Sequence, residues 1–158
     1  MLYFLEKQIV LMISKKLKYA LKALIEIANK KQEFATANVI AEKATIPLKF
    51  LEQILTELRK GRIINSKKGS SGGYYFLKEP KDVTLADIYR LIDGPIALVS
   101  CASLTFYERC SDCPNEEMCS IHHALIHVRN ETLRVLQKMT IEDLATGNFV
   151  KEDSNWII

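Results

Sequence analysis

Four cysteines fall within nineteen residues: Cys101, Cys110, Cys113 and Cys119. Thiolates are soft, charge-donating ligands, and three or four of them make the usual shell of an iron–sulfur cluster. Cys110-x2-Cys113 with Cys119-x2-His122 is also a formal Cys3His set for zinc, with a shorter gap between the pairs than common zinc ribbons use. Thiol–disulfide switching and the absence of any chemistry are the other readings of the same residues. His123 and His127 read as helix-surface or interface residues. Met1–Leu11 is apolar but carries Glu6 beside Lys7 and has no small-residue cleavage site, which argues against a signal peptide. Clustered thiols without secretion favour metal or redox chemistry over structural disulfides, and a cytoplasmic protein is expected. An enzyme reading, a thiol oxidoreductase on Cys110 and Cys113, needs a Cys-x2-Cys at a helix start near a βαβ unit. No such unit is visible, so no catalytic residue is assigned.

The elements that must position these thiols are mostly helical. Ser14 is an N-cap for a helix over Lys15–Asn29, whose apolar face is Leu17, Ala20, Leu21, Leu24 and Ala28. Lys15, Lys18 and Lys22 lie away from that face, as a solvated side. Thr36 caps a short helix through Lys43 that buries Val39 and Ile40. After the break Thr45-Ile46-Pro47, a third helix runs from Pro47, tolerated in a first turn, to Lys60. It buries Leu48, Leu51, Ile54, Leu55 and Leu58, and Gly61 is its stop. A short helix, a tight turn and a longer helix form a helix-turn-helix pattern. Next, the β-prone runs Ile63–Ser66 and Tyr74–Leu77 flank a glycine-rich tip, Lys67–Gly73, as a β-hairpin does. A phosphate-binding enzyme loop would carry its lysine after the glycines and open a helix. Here the lysines come first and a strand follows.

Thr84 and Asp87 make a capping-box pattern for a helix burying Leu85, Ile88, Leu91 and Ile92, which Gly94-Pro95 ends. An irregular stretch then holds the cysteines. From Ser120 to Met139, Ile121, Leu125, Val128, Thr132, Val135 and Met139 keep a 4-3-4-3-4 spacing, a heptad seam that Leu136 widens. Such a seam beside a small domain predicts helix–helix dimerisation, with intrachain packing as the alternative. Thr140 and Asp143 form a second capping box for a short last helix ending near Gly147.

Bulk properties fit this plan. The chain has 158 residues, 48% hydrophobic and 26% charged, as in an ordinary soluble protein. No apolar run approaches the ~18 residues that span a bilayer, so no membrane partner is expected. Residues 12–80 hold 14 Lys and Arg against 6 Asp and Glu, while residues 81–158 hold 7 against 12. A basic half joined to an acidic half suggests that one half meets a polyanion. The expected divisions are a possible N-terminal extension at 1–11, a DNA-binding domain at 12–94 and a cysteine-rich sensor loop at 95–119. A dimerisation helix with a short terminal helix follows at 120–147, and a tail at 148–158. Met12 opens the better-organised chain and is an alternative translation start.

Ser14–Leu21, Phe50–Leu55 followed by Leu58–Gly61, and Lys68–Tyr74 together resemble the IscR-type family (BadM/IscR/NsrR-like) of winged helix-turn-helix transcriptional regulators. The resemblance covers Met12 to about Ala145. It implies a mainly α (α+β) fold, a winged helix-turn-helix with a two-stranded β-hairpin wing and a long C-terminal dimerisation helix. It also implies homodimers that bind double-stranded DNA. Many such proteins sense cellular state through an iron–sulfur cluster, and others use the scaffold without one. Base reading then falls to Glu52 and Gln53. Gln53 can offer paired donor and acceptor groups to adenine, and Glu52 can accept from cytosine N4. Further candidate contacts are Lys18, Lys49, Thr56, Arg59 and Lys60, with Lys67, Lys68 and Gly72 in the wing, where Lys68 stands in place of a frequent arginine. Cys113, Cys119 and His122 match the last part of the family's cluster pattern. The cysteine expected six residues before Cys113 is Tyr107. The candidate ligands are therefore Cys110, Cys113, Cys119 and His122, with Cys101 in reserve. The expected cofactor is a 2Fe–2S cluster, with zinc or none as alternatives. Remaining functional alternatives are a cluster-free regulator responding to thiol oxidation or a small molecule, and a protein-binding winged-helix adaptor.

Overall fold

The computed structural model describes residues 13–30, 34–69 and 71–148. The expected extension at 1–11, the alternative start at Met12 and all of the tail beyond Asn148 lie outside them. The described chain runs through helices α1 (Lys15–Asn29), α2 (Ala37–Ala44) and α3 (Leu48–Lys60), then strands β1 (Ile64–Lys67) and β2 (Gly73–Phe76). Helix α4 (Leu85–Ile92), helix α5 (Ser120–Lys138) and helix α6 (Ile141–Thr146) complete it, with 3-10 turns at Pro80–Asp82 and Ser100–Ala102. The fold is mainly helical with a two-stranded antiparallel wing.

Local chemistry sets the helix starts. The Ser14 hydroxyl accepts the Leu17 amide at 2.9 Å, and the Thr36 hydroxyl accepts that of Val39 at 3.4 Å. Thr84 with Asp87, and Thr140 with Asp143, close reciprocal capping boxes. Pro47 sits one position earlier than expected, as the cap of α3 rather than in its first turn. The core gathers one face of each of α1, α2, α3 and α4: Leu17, Leu24, Ile40, Leu51, Ile54, Leu55, Leu58 and Ile88 are essentially inaccessible. Leu48, expected to be buried, is exposed.

Gly61 does not end α3 by taking a left-handed conformation. Its φ is −73°, and the positive φ falls on Arg62 at 57°. Gly61 instead lies where α3 and α4 approach closely: a Cβ there would meet the end of the Leu91 side chain, which would have to shift to admit it. In the wing, Ile64 pairs with Phe76 and Lys67 with Gly73. Tyr74 also exchanges backbone hydrogen bonds with Ala35, which fastens the wing to the segment before α2.

Two long-range ties place the C-terminal part. Asp93, at the end of α4, accepts both the amide and the hydroxyl of Ser14 at the start of α1. After α5 the chain returns: the Leu85 amide donates to the Met139 carbonyl at 2.8 Å, and the Ile141 amide to the Val83 carbonyl at 2.9 Å. Ile141 is fully buried in the core of α1–α4, and α6 packs on α1. Helix α6 thus joins the N-terminal core, although the expected division groups it with α5. Helix α5 has no buried residue and contacts α4 and the 3-10 turn Ser100–Ala102. Among the described residues, no helix is long and apolar enough to cross a membrane.

Candidate functional site

Two sites stand out, an exposed polar face and a thiol-lined pocket. The first is α3. With Leu51, Ile54, Leu55 and Leu58 turned to the core, Lys49, Glu52, Gln53, Thr56, Arg59 and Lys60 are exposed on the outer side. Glu52 and Gln53 have no side-chain partner among the described residues, so their polar groups face solvent. The Thr56 hydroxyl donates to the Glu52 carbonyl at 2.8 Å, which occupies its proton within the helix. Lys18 is exposed on α1. Its neighbours on the expected solvated face are engaged: Lys22 donates to the Ala44 carbonyl at 2.9 Å, and Lys15 lies over the Tyr19 ring at 5.6 Å.

Beside α3, a concave surface of about 710 Å³ is lined by Thr56, Arg59, Lys60, Arg62, Ile64, Asn65, Leu77 and Lys78. Four cations therefore converge between the end of α3 and the wing, a geometry suited to phosphates. Sequence reasoning missed Arg62 and Lys78; the signal available was only their place in the basic half. Lys67 and Lys68 are exposed on the wing, Lys67 with its ammonium 5.0 Å from the Phe34 ring centre. Gly72 is buried and its amide donates to the Gly69 carbonyl at 3.0 Å. A Cβ there would strike the Lys67 carbonyl, so Gly72 shapes the tip and has no amide free for a phosphate.

The second site lies between the 3-10 turn Ser100–Ala102 and the start of α5. A pocket of about 520 Å³ is lined by all four cysteines together with Val99, Asp112, Pro114, Asn115, Glu116, Met118, Ile121 and His122. Cys119 caps α5, its sulfur accepting the His122 amide at 3.4 Å. Cys101, held in reserve from the sequence, is the buried thiol of the four, whereas Cys110 is exposed. The Asp112 carboxylate beside Cys110 pushes its thiol up from an ordinary 9 to about 11. Partial burial, with Cys119 alongside, raises the Cys113 thiol. Tyr107, at the position where the resemblance expects a cysteine, donates its hydroxyl to Glu116 Oε2 at 2.6 Å.

The pocket also holds the two buried side-chain polar atoms that lack a partner among the described residues, Glu116 Oε1 and His122 Nδ1. An unsatisfied buried polar atom costs about 1–3 kcal/mol, and such atoms mark places where a water or ion belongs. Cys101, Glu116 and His122 offer ligand atoms all within 4.8 Å of one another. A donor set of thiols, an imidazole and a carboxylate, with orphaned ligand atoms, fits a transition-metal centre.

The Asp112 contact makes a reactivity difference measurable. At about pH 8, a thiol raised from 9 to about 11 loses roughly 100-fold in thiolate, while the more basic thiolate regains about tenfold in nucleophilicity. Exposed Cys110 is therefore expected to alkylate about tenfold more slowly than an ordinary thiol, and Asp112→Asn to restore the rate, read by mass spectrometry of the modified peptide. An equal rate in Asp112→Asn would remove Asp112 as the cause.

The sequence profile of Rrf2, described as iron-dependent transcriptional regulator, matches residues 13–147. A Rhodobacter capsulatus protein, described as a putative HTH-type transcriptional regulator rrf2-like, is 42% identical over 142 residues, covering 87% of this chain and 95% of its own. The Bacillus subtilis HTH-type transcriptional regulator CymR is 32% identical over 135 residues, covering 85% of this chain and 89% of its own. The solved structure of that CymR, described as a global cysteine regulator, superposes with a TM-score of 0.71 at 31% identity over 87% of this chain and 98% of its own. The T. potens IscR structure shares the fold, with a TM-score of 0.68 at 21% identity over 91% of this chain and 93% of its own.

Proposed function

This chain belongs to the Rrf2 family of transcriptional regulators, and from that premise we propose that it reads duplex DNA as a homodimer under control of its cysteine pocket. It is a regulator and not an enzyme. The observation that carries the reading is the exposed face of α3, whose Glu52 and Gln53 stand next to the four-cation surface and the wing. A helix fits a major groove about 12 Å wide, where Gln53 pairs with adenine and Glu52 accepts from cytosine. Lys18, Lys49, Arg59, Lys60, Lys67 and Lys68 meet the phosphates or the minor groove, and Thr56 lies on the same face. The working division is residues 12–94 for DNA, with α6 (Ile141–Thr146) packed on their core, 95–119 for sensing and 120–139 for assembly.

In the pocket, Cys110, Cys113, Cys119 and His122 are the residues to hold a 2Fe–2S cluster, with zinc as the alternative ion. When bound, such a cluster supplies redox-sensitive charge in a segment that has little core of its own. The protein transmits the change through α5. Cys119 caps its first turn, and Arg129 in its middle donates to the Ala102 carbonyl. Its last residues bond back to α4 through Leu85. Ordering residues 95–119 then biases the orientation of the two α3 helices in the dimer, a population shift between DNA-competent and incompetent forms.

The test is a pair of variants on the DNA face. Gln53→Ala is expected to weaken binding to the correct site by about 5–150-fold, corresponding to ~1–3 kcal/mol for one bidentate base contact, with little effect on random DNA. Lys68→Ala is expected to weaken both and to flatten the salt dependence by a slope of about one. Equal losses on both DNAs in Gln53→Ala would show that Gln53 does not read a base.

A further inference from the structure

We propose that Cys101, Glu116 and His122 form a binding site for a single divalent first-row metal ion, Fe2+ or Zn2+, distinct from the thiol set Cys110, Cys113 and Cys119. The proposal goes beyond the cluster reading and does not depend on it. Three elements meet here. Cys101 comes from the 3-10 turn after α4, Glu116 from the turn before α5, and His122 from the first turn of α5. Their ligand atoms lie within 4.8 Å of one another, so a contraction of roughly 1 Å brings them to the spacing of ligands around one ion.

Each donor is held in place before any ion arrives. Cys101 is buried, and the turn that carries it is fastened to α5 by Arg129, whose guanidinium donates to the Ala102 carbonyl. Glu116 is oriented by the Tyr107 hydroxyl on Oε2, which leaves Oε1 buried and without a partner among the described residues. The backbone at His122 is held by its amide, which donates a hydrogen bond to the Cys119 sulfur, and the His122 Nδ1 is likewise buried without a partner among the described residues. A carboxylate oxygen held by a neighbour on one side and free on the other is what metal ligands show, with Tyr107 as the outer-shell partner. One thiolate, one imidazole and one carboxylate suit Zn2+ or Fe2+ and disfavour Ca2+ or Mg2+. Three protein ligands leave a fourth position open toward the pocket. Binding releases the Cys101 proton and ties the segment after α4 to α5, the two parts that the pocket separates. Because His122 belongs to both ligand sets, the ion and a cluster on the thiols compete for it.

The experiment titrates Co2+ into full-length protein that has been stripped of metal and kept reduced under anaerobic conditions. The expected result is one Co2+ per chain, with a thiolate-to-cobalt charge-transfer band, displaced by Zn2+. Cys101→Ser should abolish the band, and Glu116→Gln should weaken binding by about tenfold or more. Tyr107→Phe, which removes only the outer partner, should also weaken it about tenfold. Cys110→Ser should still give the band that Cys101→Ser abolishes, while losing any cluster colour on reconstitution with iron and sulfide, so the two readings fail separately. Glu116→Gln and Tyr107→Phe keep the test decisive if Cys101→Ser does not fold. Absence of Co2+ binding, a band that persists in Cys101→Ser, or an affinity unchanged in both Glu116→Gln and Tyr107→Phe would overturn the proposal.

Discussion

Val128→Asp is expected to convert the protein from dimer to monomer in sedimentation at micromolar concentration, and to cost about 10²–10⁴-fold in operator affinity. The reason lies in how α5 divides its apolar residues. Arg129, Thr132 and Leu136 line a small apolar cavity with Leu17, Leu85, Tyr89 and Ile96, so that side of the helix is committed within the chain. Ile121, Val128 and Val135, one heptad apart, remain exposed, Ile121 at 68% and the two valines at 42% each. The seam therefore has an intrachain part and a free part, and a second copy of α5 is the natural cover for the free part. A carboxylate in that interface would have to be desolvated without a partner. Losing the second DNA-reading unit removes the gain from simultaneous engagement of two half-sites. A wild-type monomer at the same concentration would end this reading.

Cys113→Ser and Cys119→Ser are each expected to remove the visible charge-transfer absorbance and the bound sulfide of protein reconstituted anaerobically with iron and sulfide. Both residues line the pocket, and Cys119 holds the first turn of α5 through its sulfur. Serine oxygen is a poor substitute where soft thiolate donation is needed. Cys101→Ser should leave the cluster colour largely intact, because Cys101 lies outside the thiol set assigned to it. Wild-type protein that stays colourless after reconstitution, with zinc or no metal bound, would exclude the cluster and leave the DNA-reading account standing on α3 and the wing.

Features set by neighbouring residues were legible in the sequence. The caps at Ser14, Thr36, Thr84 and Thr140 each bond three residues ahead, and the buried faces of α1 and α3 largely follow the helical repeat. In α4, Ile88 is buried as expected, but Leu85, Leu91 and Ile92 are only half-buried and Ala86 is buried in addition. The wing was readable because the glycine-rich tip and its flanking β-prone runs are contiguous. Features set by distant residues were not. The bond between Ser14 and Asp93, the docking of α6 on α1, and the close approach of Gly61 to Leu91 all join segments far apart in the chain. In the pocket, the family pattern, with Tyr107 at its first cysteine position, favoured Cys110 as the substitute ligand and held Cys101 in reserve. The fold instead buries Cys101 next to Glu116 and His122, while Cys110 lines the same pocket from its exposed rim. Glu116 carried no signal of its own, since an acidic residue in a polar loop is ordinarily a solvated one. What singles it out is the Tyr107 hydrogen bond and the buried Oε1 without a partner among the described residues.

The most direct test of the central claim is the affinity of the purified protein for a fragment of its own promoter against random DNA of equal length and composition. It is measured at physiological salt in both the metal-free and the iron-reconstituted form. The account predicts that at least one form binds the promoter about 10³-fold or more tightly than random DNA, with the two forms differing in that ratio. Equal affinity for both DNAs in both forms would contradict it.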